Sequence, residues 1–310
     1  MPPREHPRAG SRSRGMGASA RSLLRLGPLG LLLAGSPAAP ARANPRVTAI
    51  EARGSARVGG GTVEQMASWF RDGCLVRQTW APLPDRGPTR TDEVGCVAAE
   101  GLKKVFDDAD RRAARPGLLR AHSAASPRAT ADGEELPDIA LVLEDGTRWR
   151  ARDVESAADL QQLLDTLADV GHSTGRDVSL SVDGAAGAPA SRAAQVLLVG
   201  LGADGRWLCS RVLSEKTLPA KSKRPLPRRP RPFAAERVSR LVDRLLEGIT
   251  PENLSLRKEA SIANSRWGSI TVDVTFDEKS NGKLDASSAL RVAERFSAEA
   301  SRLSPLCMLP

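Results

Sequence analysis

The chain has 310 residues, a formal net charge of +9 and a pI near 10.0, with no tyrosine and 3% aromatic residues. Seven arginines against Glu5 within residues 1–43 account for six of those nine charges, and residues 218–232 carry six more basic side chains with no acid. What lies outside these two segments is net acidic, which argues against a folded face that tracks a nucleic-acid backbone, and the scarcity of aromatic residues leaves the core to Leu, Val and Ala with five Trp as the large pieces.

The first 43 residues read as a secretory signal peptide. Arg4, Arg8, Arg12, Arg14 and Arg21 precede an apolar run, Leu23–Ala34, and Ala41-Arg42-Ala43 supplies the small residues of a cleavage site before Asn44. The run is too short to cross a bilayer core, which takes about 20 residues. A start at Met16 instead of Met1 gives the same mature chain. The expected location is therefore exported, periplasmic or secreted, with no transmembrane segment after cleavage.

Residues 44–215 read as an N-terminal α/β region, helical over 60–115. Thr62 with Gln65 three residues on has the form of a capping box, Met66, Trp69 and Phe70 share a helical face, and Gly73 ends it. A second helix carries Val97, Leu102, Val105, Phe106 and Ala109 on one stripe. Residues 114–137 read as a linker. From 139 the order is β-β-α-β. Ile139–Glu144 and Thr147–Arg152 flank Asp145-Gly146, a strong hairpin signal. Leu160, Leu163, Leu164 and Leu167 then repeat at helical spacing, with Asp153 as N-cap and Gly171 past the end. Strands are expected at Val178–Val182 and Gln195–Leu201.

Residues 216–233 form a basic, proline-rich linker, with polyproline II expected over 218–232. Lys221, Lys223, Arg224, Arg228, Arg229 and Arg231 make it a candidate contact for an anionic cell-wall polymer or an envelope protein. Residues 234–310 read as an α-β-β-α domain. Its first helix carries Val238, Leu241, Val242, Leu245 and Leu246 and stops at Gly248. Strands follow near 254–262 and 268–276, and a last helix spans about 286–303. The expected class is thus α/β (α+β), with mixed small sheets, packed helices and two modules about the linker.

Four cysteines, an even number in an exported chain, favour two disulfides. Cys74–Cys96 is the local pairing, and it leaves Cys209–Cys307 as a long-range tie. No C-x-x-C occurs and only His122 and His172 follow the leader, so no metal site is expected.

Three motifs resemble active sites. Gly171-His172-Ser173-Thr174-Gly175 has the letters of a nucleophile elbow, but a helix precedes it and a strand follows, the reverse of what the elbow needs. Gly200-Leu201-Gly202-Ala203-Asp204-Gly205 has the spacing of a dinucleotide loop, with Gly200, Gly202 and Gly205 as candidate cofactor contacts. It lacks the acidic residue about 20 positions on that would hold a ribose hydroxyl. An echo between LEDGTRWRARDV (143–154) and LGADGRWLCSRV (201–212) argues for a second hairpin at Asp204-Gly205. Asp277–Ser288 resembles a calcium loop with Lys279 and Ser288 where oxygen ligands belong, so Asp285 is expected to cap a helix instead. The Arg-Trp pairs 148/149, 206/207 and 266/267 are expected to turn Trp inward and Arg outward along strands. With no convergent catalytic set and no cofactor expected, the sequence points to a non-catalytic binding or scaffolding module of the cell envelope. A nucleotide-dependent enzyme using the Gly200–Gly205 loop is the alternative.

Overall fold

The computed structural model describes residues 45–58, 61–83, 87–97, 99–115, 117–121, 128–129, 135–169, 175–183, 196–214, 226–256, 262–264, 268–299, 302–303 and 307. Four long strands open the fold: β1 (Val47–Val58), β2 (Gly61–Phe70), β3 (Cys74–Leu83) and β4 (Gly87–Cys96). Helix α1 (Ala99–Ala113) follows, then the short strands β5 (Leu119–Ala121), β6 (Arg128–Ala129) and β7 (Glu135–Leu136). The hairpin β8 (Asp138–Leu143) and β9 (Arg148–Ala151) leads to α2 (Val154–Asp169). A meander follows of β10 (Asp177–Asp183), β11 (Val196–Gly202) and β12 (Trp207–Ser214). Helix α3 (Ala235–Leu245), strands β13 (Ile262–Asn264), β14 (Gly268–Thr275) and β15 (Asn281–Lys283), and α4 (Ala286–Glu299) complete the chain.

The expected helix over 62–73 is a strand. In β2 the helical spacing of Met66, Trp69 and Phe70 splits across two faces: Trp69 lies opposite Ile50 of β1, while Met66 and Phe70 lie on the other side with Ser68. Thr62 pairs with Arg57 in the β1–β2 ladder instead of capping a turn.

The mixed small sheets expected from the sequence are one large antiparallel sheet, beside which β6 and β7 form a two-stranded pair. Twelve strands run in the order β13-β14-β10-β11-β12-β4-β3-β2-β1-β8-β9-β5, and β15 pairs with β14 off this path. The α+β class holds in its coarse form. Strands from both of the expected parts join this sheet, because β14 pairs with β10 from Asp177 opposite Thr275 to Asp183 opposite Ser269. Residues Ala43–Pro310 group as one compact unit.

The helices cover opposite faces at opposite ends. Helices α1 and α2 lie on the β1/β8/β9 end, where Leu102, Phe106, Leu160 and Leu163 pack against Ile50 and Leu141. Arg112 joins the two helices, donating to Asp159 at 2.8 Å and to Gln162 at 3.2 Å and pairing with Asp108. Arg71 ties α1 to the strands, donating to Asp110 at 2.6 Å and to the Val47 carbonyl at 2.6 Å. Helices α3 and α4 cover the other face at the β10–β14 end, where Val242, Leu245, Val292 and Phe296 pack against Leu180 and Val272.

Both expected disulfides are present. Cys74 and Cys96 lie directly opposite each other on β3 and β4, with Cα atoms 3.9 Å apart. Cys209 of β12 is bonded to Cys307 across 98 residues of chain. Both hairpins on Asp-Gly form as expected, with Gly146 at φ 79° and Gly205 at φ 92°. The Asp153 carboxylate accepts the Ser156 N–H at 2.8 Å at the start of α2. The Gly171 stop lies outside the described residues.

Two outcomes test this architecture. Cys209→Ser with Cys307→Ser should lower unfolding free energy by about 4 kcal/mol in guanidinium titration, the scale of a crosslink closing a loop this long. An unchanged midpoint would remove the bond from the fold's supports. Gly95→Val should cost about 2 kcal/mol or more, because a Cβ there would stand 2.5 Å from the Trp207 carbonyl oxygen and 3.1 Å from the Leu208 Cα.

Candidate functional site

Register assembles a row of residues across the sheet. Ser179, Gly200, Leu208, Gly95, Leu75 and Trp69 stand side by side on β10, β11, β12, β4, β3 and β2. The row continues through Ile50 and Leu141 to Trp149 of β9. At the β1/β8/β9 end α1 and α2 cover it. Beyond them no described residue covers the same face, and it forms the floor of a groove of about 830 Å³.

The contrast between the two faces is sharp. Val76, Val94, Val199 and Cys209, facing α3 and α4, are at most 2% exposed. Their neighbours on the groove side, Leu75, Leu208 and Trp69, are only half-buried. The groove floor is small-residue rich, with Ala52, Gly54, Ala67, Gly95 and Gly200, and Leu164 and Leu167 of α2 form an apolar wall.

Polar groups sit at defined places in this apolar trough. Arg206 donates to Asp204 at 2.6 Å and to Asp177 at 3.2 Å at one end. Arg77 is ion-paired with Glu93 on the floor. Gln161 of α2 donates to Asp165 at 3.0 Å. The two arginines and their carboxylates are committed to one another, whereas Gln161 Oε1 is buried without a hydrogen-bond partner among the described residues. No thiol borders the groove, since Cys96 is in its disulfide. The chemistry offered is apolar contact with a few fixed charges, which suits binding.

Four of the glycines on or near this floor have different causes. Gly95 is required by the close approach of β12. Gly202 leaves room for the Asp177, Asp204 and Arg206 cluster, since a Cβ would stand 2.6 Å from both carboxylates. Gly205 has positive φ, and a Cβ there would lie 2.7 Å from Ala235 at the start of α3. Gly200 has no such reason: the nearest atom to an added Cβ is the Leu208 carbonyl oxygen at 4.0 Å.

The candidate nucleotide loop is therefore the turn of the β11–β12 hairpin. Gly205 lies in that turn and a strand from Trp207 follows it, where a dinucleotide loop needs a helix whose N-terminal amides face a pyrophosphate. Gly200, Gly202 and Gly205 do lie at the groove or its end, brought there by strand register and not by a phosphate loop.

Of the six basic linker residues, Lys221, Lys223 and Arg224 lie outside the described residues. Leu226–Ala234 has no helix or strand, and Arg228 and Arg231 are exposed. Arg229 is docked on the fold, pairing with Asp72 at 2.5 Å and lying 4.3 Å over the Phe70 ring. Trp207 is buried and meets Phe233 edge-on at 5.9 Å, while Trp149 packs in the other core, so these two do not form a common platform. Trp267 lies outside the described residues, as do the first four residues of the 171–175 motif. Arg206 is not freely solvated, because it closes the end of the groove.

The calcium-like segment is a turn and a cap. Asp277 accepts the N–H groups of Lys279 and Ser280, each at 2.8 Å. Asp285 accepts the Ser288 N–H at 2.9 Å and the hydroxyls of Ser287 and Ser288 at 2.8 Å. The Ser288 N–H is the main cause that brings its carboxyl down to about 2. A further polar row lies on the opposite face, where Gln78, Asp92 and Arg211 are neighbours on β3, β4 and β12. Arg90 pairs with Asp92 at 2.6 Å there, and burial pushes the Arg211 guanidinium below its usual value.

Among the described residues, no helix is long and apolar enough to cross a membrane. No family model, curated protein or solved structure matches the chain.

The helix cap gives a pH test. Because Asp285 is easier to ionise in the folded state, its contribution is complete above about pH 4 and is lost as pH falls through about 2. Asp285→Ala should lower the melting temperature by about 2–4 °C at neutral pH, as for an N-cap worth about 1 kcal/mol. The gap to wild type should close on acidification through that window, and a gap independent of pH would remove Asp285 from this role.

Proposed function

We propose that the chain is an exported, non-catalytic binding module that holds a slender apolar or amphiphilic molecule in the groove of its sheet. The observation that carries this reading is Gly200. A glycine inside a central strand costs about 0.5–1 kcal/mol relative to alanine and marks places where backbone or ligand comes close. Among the described residues the nearest atom to a Cβ at Gly200 is the Leu208 carbonyl oxygen at 4.0 Å, and what the missing side chain leaves is groove floor.

Three features support the rest of the reading. The volume of about 830 Å³ falls in the range of small-molecule sites, roughly 300–1,000 Å³. The half-buried Trp69, Leu75 and Leu208 leave apolar surface that a ligand would cover. The arginine-rich leader and two disulfides suit an oxidising compartment outside the cytosol. In this reading the 218–232 strip adds contact with an anionic envelope polymer through Arg228, Arg231 and the basic residues before them.

The test fills the groove without disturbing the sheet. N-phenyl-1-naphthylamine, a neutral apolar fluorophore, should brighten on binding the wild-type protein and alter tryptophan emission. Gly200→Leu places an isobutyl group where the Cβ is unobstructed. It should leave the melting temperature unchanged or raised and weaken probe binding by about tenfold, corresponding to about 1.4 kcal/mol. Equal affinity in the folded variant would refute the groove as the site.

A further inference from the structure

A second concavity, of about 380 Å³, lies at the outer side of α3. Arg237, Arg240 and Arg244 follow one another at i, i+3 and i+7, so they share one face of the helix, and Arg302 beyond α4 faces the same space. Glu299 is the one acid among the described residues that line it. That carboxylate is shared between Arg244 at 3.4 Å and Arg302 at 3.1 Å. Arg237 lies 4.7 Å over the Phe233 ring, a contact that leaves its charge uncancelled. Arg240 is exposed and makes no ion pair with a described residue. Beneath the four guanidinium groups the floor is apolar, made by Val238, Leu241 and Leu303.

Among the described residues, four positive charges against one negative leave the pocket with an excess of three. A carboxylate would answer only one of them. A phosphate monoester or diphosphate carries the matching charge, and its oxygens fit the forked donors of guanidinium groups. We propose that this pocket is a binding site for a phosphate monoester or diphosphate group, with Arg240 and Arg244 as its central donors and Arg237 and Arg302 flanking them. The site is separate from the groove and does not depend on the reading given to it. It also differs from the linker strip: Arg229 is held by Asp72 and Phe70, and the pocket residues lie on α3 and beyond α4.

Calorimetric titration with inorganic pyrophosphate at low ionic strength is the direct measurement. The wild-type protein should bind, and Arg240→Gln should weaken binding by about tenfold or more, the scale of one charge-assisted hydrogen bond. Its melting temperature should not change, because Arg240 makes no ion pair with a described residue. The double variant Arg228→Gln/Arg231→Gln should bind as wild type. No binding of pyrophosphate, equal binding by Arg240→Gln, or loss only in the double variant would each overturn the proposal. Co-sedimentation with phosphatidic acid vesicles, against phosphatidylcholine vesicles, separates the two sources of the group. Sedimentation that Arg240→Gln abolishes assigns the site to a lipid headgroup. Pyrophosphate binding without sedimentation assigns it to a free phosphate compound.

Discussion

The pairing of β4 with β12 is the constraint on which the rest of the sheet depends. Eight residue pairs, from Trp207 opposite Cys96 to Ser214 opposite Thr89, join a meander built from residues 47–96 to one built from residues 177–214. Side chains alternate along every strand, so a one-residue slip here would turn one whole half of the sheet inside out relative to the other. The junction is correspondingly well supported. Gly95 lets the β12 backbone approach, Cys96 is bonded to Cys74 on β3, and Cys209 anchors β12 to Cys307.

Once that register is set, the groove follows from where the helices lie. Helices α1 and α2 cover one face at one end of the sheet, and α3 and α4 cover the other face at the other end. Each face therefore has a length that none of these four helices covers. On the α1/α2 face this length carries Trp69, Leu75 and Leu208, and α2 stands along its edge with Leu164 and Leu167. A protein with no use for that surface gains by covering it or by placing polar side chains there. Gly200 does neither, and it leaves an apolar floor with room above it.

Local chemistry was legible in the sequence, and long-range register was not. The two Asp-Gly hairpins, the Asp153 and Asp285 caps, the apolar stripes of α1 to α4 and both disulfides each depend on a few neighbouring residues or on parity of cysteines. The strands of residues 47–96 defeated the same reasoning because neither of their faces is uniformly covered. In β2 the burial alternates only weakly, Glu64 and Gln65 are both exposed, and an accidental Thr62/Gln65 spacing imitates a helix start. In β4 the segment Gly87–Cys96 offers Thr, Arg, Asp and Glu with a single valine, so no period-2 apolar signal exists. The groove was still less visible. Ala52, Gly54, Ala67, Gly95 and Gly200 carry no chemical signature, and only strand pairing places them together. In-strand glycines were the one available sign, and at Gly200 the sequence offered a more familiar motif to explain it.

A chain with many arginines and no tyrosine also has to make its polar cross-ties differently. Tyrosine can bury a ring and still satisfy a hydroxyl, whereas arginine can lay its stem on apolar surface and spread a planar fork of donors. Arg71 joins α1 to the strands, Arg112 joins α1 to α2, and Arg295 donates to the Leu245 and Glu247 carbonyls at the end of α3. Arg206 closes the groove, and Arg229 fastens the proline-rich strip to Phe70 and Asp72. Each of these guanidinium groups has a structural partner, so its charge is no evidence of an anionic ligand. That separates them from the α3 stripe. There Arg240 makes no ion pair with a described residue, and the one tie from α3 to α4, Arg244 to Glu299, is shared with Arg302, so charge accumulates around the cavity beyond what that carboxylate answers.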